Sequence, residues 1–391
     1  MAEGIRKRGN KYSFRINIKD ELTGEWKNIE RGGFNTQAEA RQARANLLAE
    51  YNENPQTALK GQKKMTVDQV YDEFMYKQVT KDREWSTVRG YESIYRAQIQ
   101  PKWGNRYINT ITSAELTDYL FSLAPNYSQH YIKGIHTFLF SIWKYAEDRL
   151  YIKENAMRFA SKPKVDSDSD KIKVYSQEEL DRFEERFAST SLLPAFKIGR
   201  ATGVRCGECF GLLWDAINWE KHTMTIDKQL VMEGRIWTLR NVKTKNANRV
   251  IDLQDSIYNY LKELRAEQLA TKEKLGIAFR TNRVAVDMGR NKEKIVREDL
   301  EFINIRETGE LLTPNSVKVL GRIANEELGV PFKYHNLRHT HATWLAEHGV
   351  PTAAVRMRLG HSRETTTLRY YTHVTNPMRE CMVAALNNNE H

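Results

Sequence analysis

The first regular pattern in the chain is a two-residue alternation. Tyr12, Phe14, Ile16 and Ile18 alternate with Ser13, Arg15, Asn17 and Lys19, which predicts a strand with one buried face. A turn at Thr23-Gly24 leads to a second predicted strand over 26–29. Thr36 followed three residues later by Glu39 has capping-box spacing, and it opens a helix whose Ala40, Ala43, Leu47 and Tyr51 share one face. Residues 1–60 thus read as a small sheet-plus-helix module, and the polar stretch 53–64, with no apolar period, reads as a linker.

From residue 65 the period becomes helical. Thr66 to Gln69 and Thr112 to Glu115 repeat the capping box. Val88, Tyr91, Tyr95 and Ile99 form one stripe, and Tyr131, Ile135, Phe138, Leu139, Ile142 and Trp143 form a longer one. An all-α domain of about four helices over 65–160 follows. The stretch 161–173 alternates Asp with Ser and loses the period, as a solvated hinge does. A third domain, 174–391, opens with the capping box Ser176 to Glu179 and is mostly helical, with predicted strands at 223–226, 236–239 and 249–253. The expected fold is multidomain and mostly α with small β elements. The length of 391 residues, more than one core usually organises, agrees with that division.

Charge narrows the partner. The net charge is +11, and residues 1–64 hold 13 basic against 8 acidic side chains, so a polyanion is the expected partner and the excess is concentrated at the front. No window approaches the roughly 18 apolar residues of a membrane span, and no apolar stretch follows the basic residues at the start, so neither secretion nor membrane insertion is expected. The three cysteines, Cys206, Cys209 and Cys381, are too few and odd in number for a disulfide framework and suit a reducing cytoplasm.

Seven of the ten histidines follow residue 334. His335 and His339 are four apart on a predicted helix and suit one metal ion, although the position after His335 is Asn336, where a zinc hydrolase needs a glutamate. Cys206-Gly207-Glu208-Cys209 has the spacing of half a zinc or redox pair, without a second half. The other reading of the cluster is a phosphate site. His335 and Arg338 project from one side of the helix, and a guanidinium bonds two phosphate oxygens at once.

Four segments in order support the second reading: 201–208 (ATGVRCGE), 335–338 (HNLR), 359–362 (LGHS) and 371–374 (YTHV). Together they resemble the motif series of the tyrosine recombinase (phage integrase) family across residues 175–380. The two preceding domains resemble the arm-site and core-site DNA-binding domains of the larger integrases, those of temperate phages and conjugative transposons. The resemblance implies site-specific cleavage and rejoining of double-stranded DNA through a 3′-phosphotyrosine, integrating and excising a mobile element in the cytoplasm of a bacterial host. It implies no cofactor, metal or ATP. Partners implied are core and arm attachment sites, a homotetramer on DNA, and an excision factor or host DNA-bending protein.

By the same resemblance Tyr371 is the nucleophile, because the family places it two residues before a histidine, here His373; Tyr370 is its rival. His335 is the expected proton acceptor, while Arg205, Arg338 and His361 hold the scissile phosphate and Glu208 buttresses Arg205. Lys243, in a β-hairpin turn ahead of Thr244, is the expected general acid, with Lys245 as the alternative. Arg6, Lys7, Arg8, Arg15 and Lys19 are the expected arm-site contacts. An apolar stripe of Met378, Cys381, Met382, Ala385 and Leu386 is expected to pack on its own domain or, as the resemblance implies, to dock on a neighbouring protomer. Two other readings remain open from sequence: a DNA-binding regulator that kept the fold without catalysis, and a metal-dependent nuclease using the histidines.

Overall fold

The computed structural model describes residues 4–19, 25–53, 64–165, 173–242, 245–287 and 294–371, with 379 and 383. They fall into two compact units, Met1–Ser169 and Asp170–His391.

The first unit begins with a three-stranded antiparallel sheet in the order β1 (Ile5–Arg8), β2 (Lys11–Lys19), β3 (Trp26–Phe34). Phe14, Ile16 and Ile18 point to one face and pack with Leu47 of helix α1 (Gln37–Glu53). The alternation therefore gave the right strand and the right buried face. The second strand is longer than predicted, because its polar half pairs with β2 through main-chain bonds that hydropathy does not report. At the start of α1 the cap differs from the box. Thr36 Oγ1 accepts from Glu39 N at 3.1 Å, but the Glu39 carboxylate takes the Asn35 amide at 2.8 Å instead of that of Thr36. The predicted turn at 23–24 and the linker residues 54–63 lie outside the described residues.

Four helices follow. These are α2 (Val67–Phe74), α3 (Trp85–Ile94), α4 (Ser113–Ser122) and α5 (Gln129–Asp148). Reciprocal capping boxes open α2 at Thr66 and α4 at Thr112, as the spacing predicts. Helices α2 and α3 each run on through one wide π turn, Met75–Val79 and Tyr95–Ile99. The predicted stripes are the core here: Tyr95, Ile99, Ile135, Phe138, Leu139, Ile142 and Trp143 are all buried.

The second unit opens with the capping box at Ser176 and helix α6 (Gln177–Phe187), then α7 (Leu193–Thr202) and the short α8 (Cys206–Phe210). Stacked and edge-on rings of Tyr175, Phe183, Phe187, Phe196 and Phe332 fill its centre. The strands form two sheets. One has the order β4 (Ile217–Asn218), β5 (Thr223–Ile226), β8 (Arg249–Asp252), and the other β10 (Ile295–Arg297), β9 (Val284–Asp287), β7 (Ile236–Asn241), β6 (Lys228–Glu233). All three predicted strands are present, but β7 and β8 belong to different sheets. β7 pairs with β6 and β9, and β8 with β5; residues 243–244, and with them the expected setting of Lys243, lie outside the described residues.

After α9 (Asp255–Leu275) come α10 (Val317–Leu328), α11 (Tyr334–Glu347), α12 (Thr352–Leu359) and α13 (Glu364–Leu368). Helix α12 stops at Gly360, which adopts the left-handed conformation at φ 67°. A Cβ there would lie 2.7 Å from the Asn246 carbonyl oxygen. Gly360→Ala is therefore expected to cost at least about 1–3 kcal/mol. Thermal unfolding checks it, and an unchanged Tm would show that the helix end is not held as described.

Candidate active site

The last carbonyls of a helix have no partner within it. In α12 those of Arg358, Leu359 and Gly360 are consecutive, and each accepts a hydrogen bond from a different arginine. Arg249 Nε donates to Arg358 O at 2.7 Å, an Arg338 terminal nitrogen to Leu359 O at 2.5 Å, and an Arg205 terminal nitrogen to Gly360 O at 3.3 Å. The other Arg338 terminal nitrogen donates to Gly203 O at 2.9 Å. Three elements distant in sequence, the start of α8, strand β8 and helix α11, thus meet at one helix end. Arg338 is 2% exposed.

Glu208 ties two of these arginines together. One carboxylate oxygen accepts from Arg205 at 2.7 Å and the other from Arg249 at 2.9 Å, and the Arg205 amide also donates to it at 3.0 Å. The expected Arg205–Glu208 pairing is present, on a carboxylate almost sealed from solvent. Burial pushes the Glu208 carboxyl up, but Arg249 and Arg205 outweigh it, so its pKa lies below the ordinary carboxylate value. Arg249, which sequence reasoning missed, has a weak signal at best. On β8 it takes an inward position alternating with exposed Val250.

His335 and Arg338 sit on α11 as expected, and His361 follows the α12 cap. Burial lowers the pKa of His335 and of His361, the latter to about 3, and Arg338 and Arg205 add to both shifts. Burial, then His335 and Arg338, lowers His339 to about 4. All three imidazoles are neutral at neutral pH. Burial and then Arg205 lower Arg338 to about 9, which leaves it charged there. His361 Nδ1 is bonded to Thr367 Oγ1 at 2.9 Å. Arg205, Arg338, His335 and His361 therefore converge, and each Arg338 terminal nitrogen retains a second N–H for an anion.

The two tyrosines diverge. Tyr370 is buried beside the histidines, its hydroxyl 2.6 Å from His339 Nδ1. The Tyr371 hydroxyl donates to the Val350 carbonyl at 2.5 Å and is not bonded to any of the four converging side chains. Lys243 and the C-terminal stripe lie outside the described residues, as does His373.

His335 and His339 contact each other edge to face at 4.6 Å, but among the described residues no group of three or more His, Cys, Asp or Glu side chains is placed to hold a metal ion. Burial pushes the Cys206 and Cys209 thiols up to about 12, so both are protonated at neutral pH. In the N-terminal sheet Arg6, Arg8, Arg15 and Lys19 share the face turned away from α1, with exposed Trp26 opposite Lys19. Arg8 and Arg15 both approach Glu30, at 3.5 and 3.8 Å, while Lys7 lies over the Tyr12 ring. Among the described residues no helix is long and apolar enough to cross a membrane.

A mainly helical unit that gathers two arginines, two histidines and a nearby tyrosine pair defines a protein that handles phosphodiesters. Family models agree. Residues 176–377 match the phage integrase family, residues 4–51 an arm DNA-binding domain, and residues 66–124 a phage integrase N-terminal SAM-like domain. The chain belongs to the phage integrase family: it is a tyrosine recombinase, an enzyme that cleaves and rejoins DNA. Among its relatives, a XerC-like tyrosine recombinase of Caldanaerobacter subterraneus is 28% identical, covering 83% of each chain. The transposase of transposon Tn916 from Enterococcus faecalis is 24% identical, over 80% of this chain and 75% of that protein. The fold is similar to that of the Tn1549 transposon integrase in complex with transposon right end DNA, with TM-score 0.66, 20% identity, and coverage of 83% of this chain and 100% of that one. It is also similar to lambda integrase in a tetramer bound to a Holliday junction, with TM-score 0.57, 16% identity and 94% coverage of both chains.

Two outcomes follow from the site's electrostatics. Glu208→Ala leaves two guanidiniums without their shared carboxylate and is expected to destabilise the second unit by about 3–5 kcal/mol. Denaturant unfolding measures it, and a loss under 1 kcal/mol would contradict the bridge. The second outcome concerns acid. His341 and His361 are buried with pKa values lowered from 6.5 to about 3, so the unfolded chain binds more protons than the native one below pH 6.5. Their stabilisation is complete above that value and is lost as pH falls toward 3. Between pH 7.5 and 5.5 each should cost about 1.4 kcal/mol. A Tm that does not fall over that interval would contradict it.

Proposed function

We propose that this recombinase integrates and excises a mobile element, of the phage or conjugative-transposon kind, by the attack of Tyr371 on a phosphate held at the end of α12. The observation that carries this reading is the convergence of Arg205, Arg338, His335 and His361, with the arginines anchored on consecutive helix-end carbonyls. The Tyr371 side chain exchanges its bond to the Val350 carbonyl for approach to phosphorus. Its phenol loses a proton to neutral His335 as the O–P bond forms. Arg205, Arg338 and His361 donate to the non-bridging oxygens and stabilise the added negative charge of the pentacoordinate transition state. The O–P bond to the 5′ oxygen breaks, and Lys243 supplies the proton that this oxygen needs. A 3′-phosphotyrosine remains and conserves the bond energy, so rejoining is the reverse sequence. Glu208 holds Arg205 in place.

The element type rests on relatives such as the Tn916 transposase and on the likeness to transposon and lambda integrases. By the same likeness four copies work together on paired sites. The N-terminal sheet, through Arg6, Arg8, Arg15 and Lys19 on its open face and Lys7 at its edge, contacts arm DNA. Helices α2–α5 contact the core site. Direction comes from arm occupancy together with an excision factor or a DNA-bending protein, because the chemistry itself is energetically balanced.

The reading is tested on nicked attachment-site DNA, followed as a denaturant-resistant protein–DNA band. Wild type and Tyr370→Phe form the band and Tyr371→Phe does not. A band from Tyr371→Phe, or none from any protein on DNA it demonstrably binds, would contradict the proposal. Removal of residues 1–63 is expected to leave cleavage of core-only DNA intact and to abolish discrimination between arm-containing and core-only substrates. Loss of core cleavage by that truncation would contradict the division of labour.

A further inference from the structure

Helix α13 and the turn after it deliver Tyr371, and two hydroxyls tie this short segment to the histidines of the site. Thr367, which is 0% exposed, is bonded to His361 Nδ1 at 2.9 Å. Tyr370, which is 7% exposed, has its hydroxyl 2.6 Å from His339 Nδ1 and its ring 6.4 Å from that of His361. The main chain closes the turn, with Tyr370 N bonded to Thr367 O and Tyr371 N to Leu368 O. Two adjacent tyrosines thus have different settings: Tyr370 is packed inward and bonded to a histidine, while Tyr371 is half-buried on a carbonyl.

We infer that Tyr370 is a positioning residue whose hydroxyl bond to His339 fixes the main chain beside Tyr371, so that Tyr371 reaches the phosphate by rotating its own side chain. The chemistry of the pair suits that task. Burial raises the Tyr370 phenol and lowers the His339 imidazole, so both are neutral and share one hydrogen bond at Nδ1, its direction set by the imidazole tautomer. The ring of His339 in turn packs edge to face on His335. One bond therefore locates both the segment that bears the nucleophile and, through His339, the imidazole expected to take its proton. Misplacing reacting groups slows a step without weakening binding of the rest of the substrate. The inference rests on Tyr371 as the nucleophile.

The test measures two quantities on nicked DNA: the rate of covalent-complex formation at saturating DNA, and the Kd for the same DNA. Tyr370→Phe keeps the ring and removes the bond. It is expected to slow the covalent step roughly 5- to 10-fold, the effect of one buried hydrogen bond, with Kd unchanged. His339→Ala should slow it similarly, and the double variant should be no slower than the slower single one. His339→Asn, which returns a hydrogen-bonding group near the Nδ1 position, should recover part of the loss; side-chain packing alone would give no such recovery. A wild-type rate in Tyr370→Phe, or additive losses in the double variant, would overturn the positioning role while leaving Tyr371 as the nucleophile. Complete loss of the complex in Tyr370→Phe with retention in Tyr371→Phe would overturn both assignments.

Discussion

Burying several guanidiniums around a single carboxylate is the constraint on which this site depends. Glu208 satisfies one donor group on each of Arg205 and Arg249, and Arg338 is left to main-chain carbonyls. The end of α12 answers that need, because a helix C-terminus offers unpaired carbonyls and the negative end of its dipole. Gly360 is part of the same solution. Its left-handed conformation ends the helix where the three carbonyls face the arginines, and it places His361 immediately after them.

The electrostatic balance of that arrangement is what gives it a function. Carbonyls hold the guanidiniums without neutralising them, so the cluster keeps positive charge for a phosphate in a region where water is scarce. The same positive charge, together with burial, keeps His335, His339 and His361 unprotonated. Neutral imidazoles beside charged arginines divide the work: the arginines bind the phosphate's oxygens, and an imidazole is free to take the proton of an attacking phenol.

Much of this was legible in the sequence, for identifiable reasons. Strand β2 and the stripe of α5 follow directly from periodicity, since one face of each is buried. The Arg205–Glu208 and His335–Arg338 relations are local in a helix, so spacing alone places them together. Long-range features were hidden. Strands β6, β9 and β10 lack a clean alternation and are held by pairing across the sheet, and the assignment of β7 and β8 to separate sheets depends on that pairing. Arg249 has no sequence neighbour that marks it, because its partner Glu208 lies 41 residues away in the chain. The different settings of Tyr370 and Tyr371 depend on which hydroxyl meets His339 and which meets Val350, contacts 31 and 21 residues apart in the chain.

The most direct measurement is the location of the protein–DNA bond. Trapped covalent complex from nicked DNA is digested with nuclease and trypsin, and the fragment spanning residues 370–379 is sequenced by tandem mass spectrometry. The account predicts a nucleotide remnant on Tyr371 and an unmodified Tyr370. A remnant on Tyr370, or a covalent complex in which this fragment carries no remnant, would contradict it.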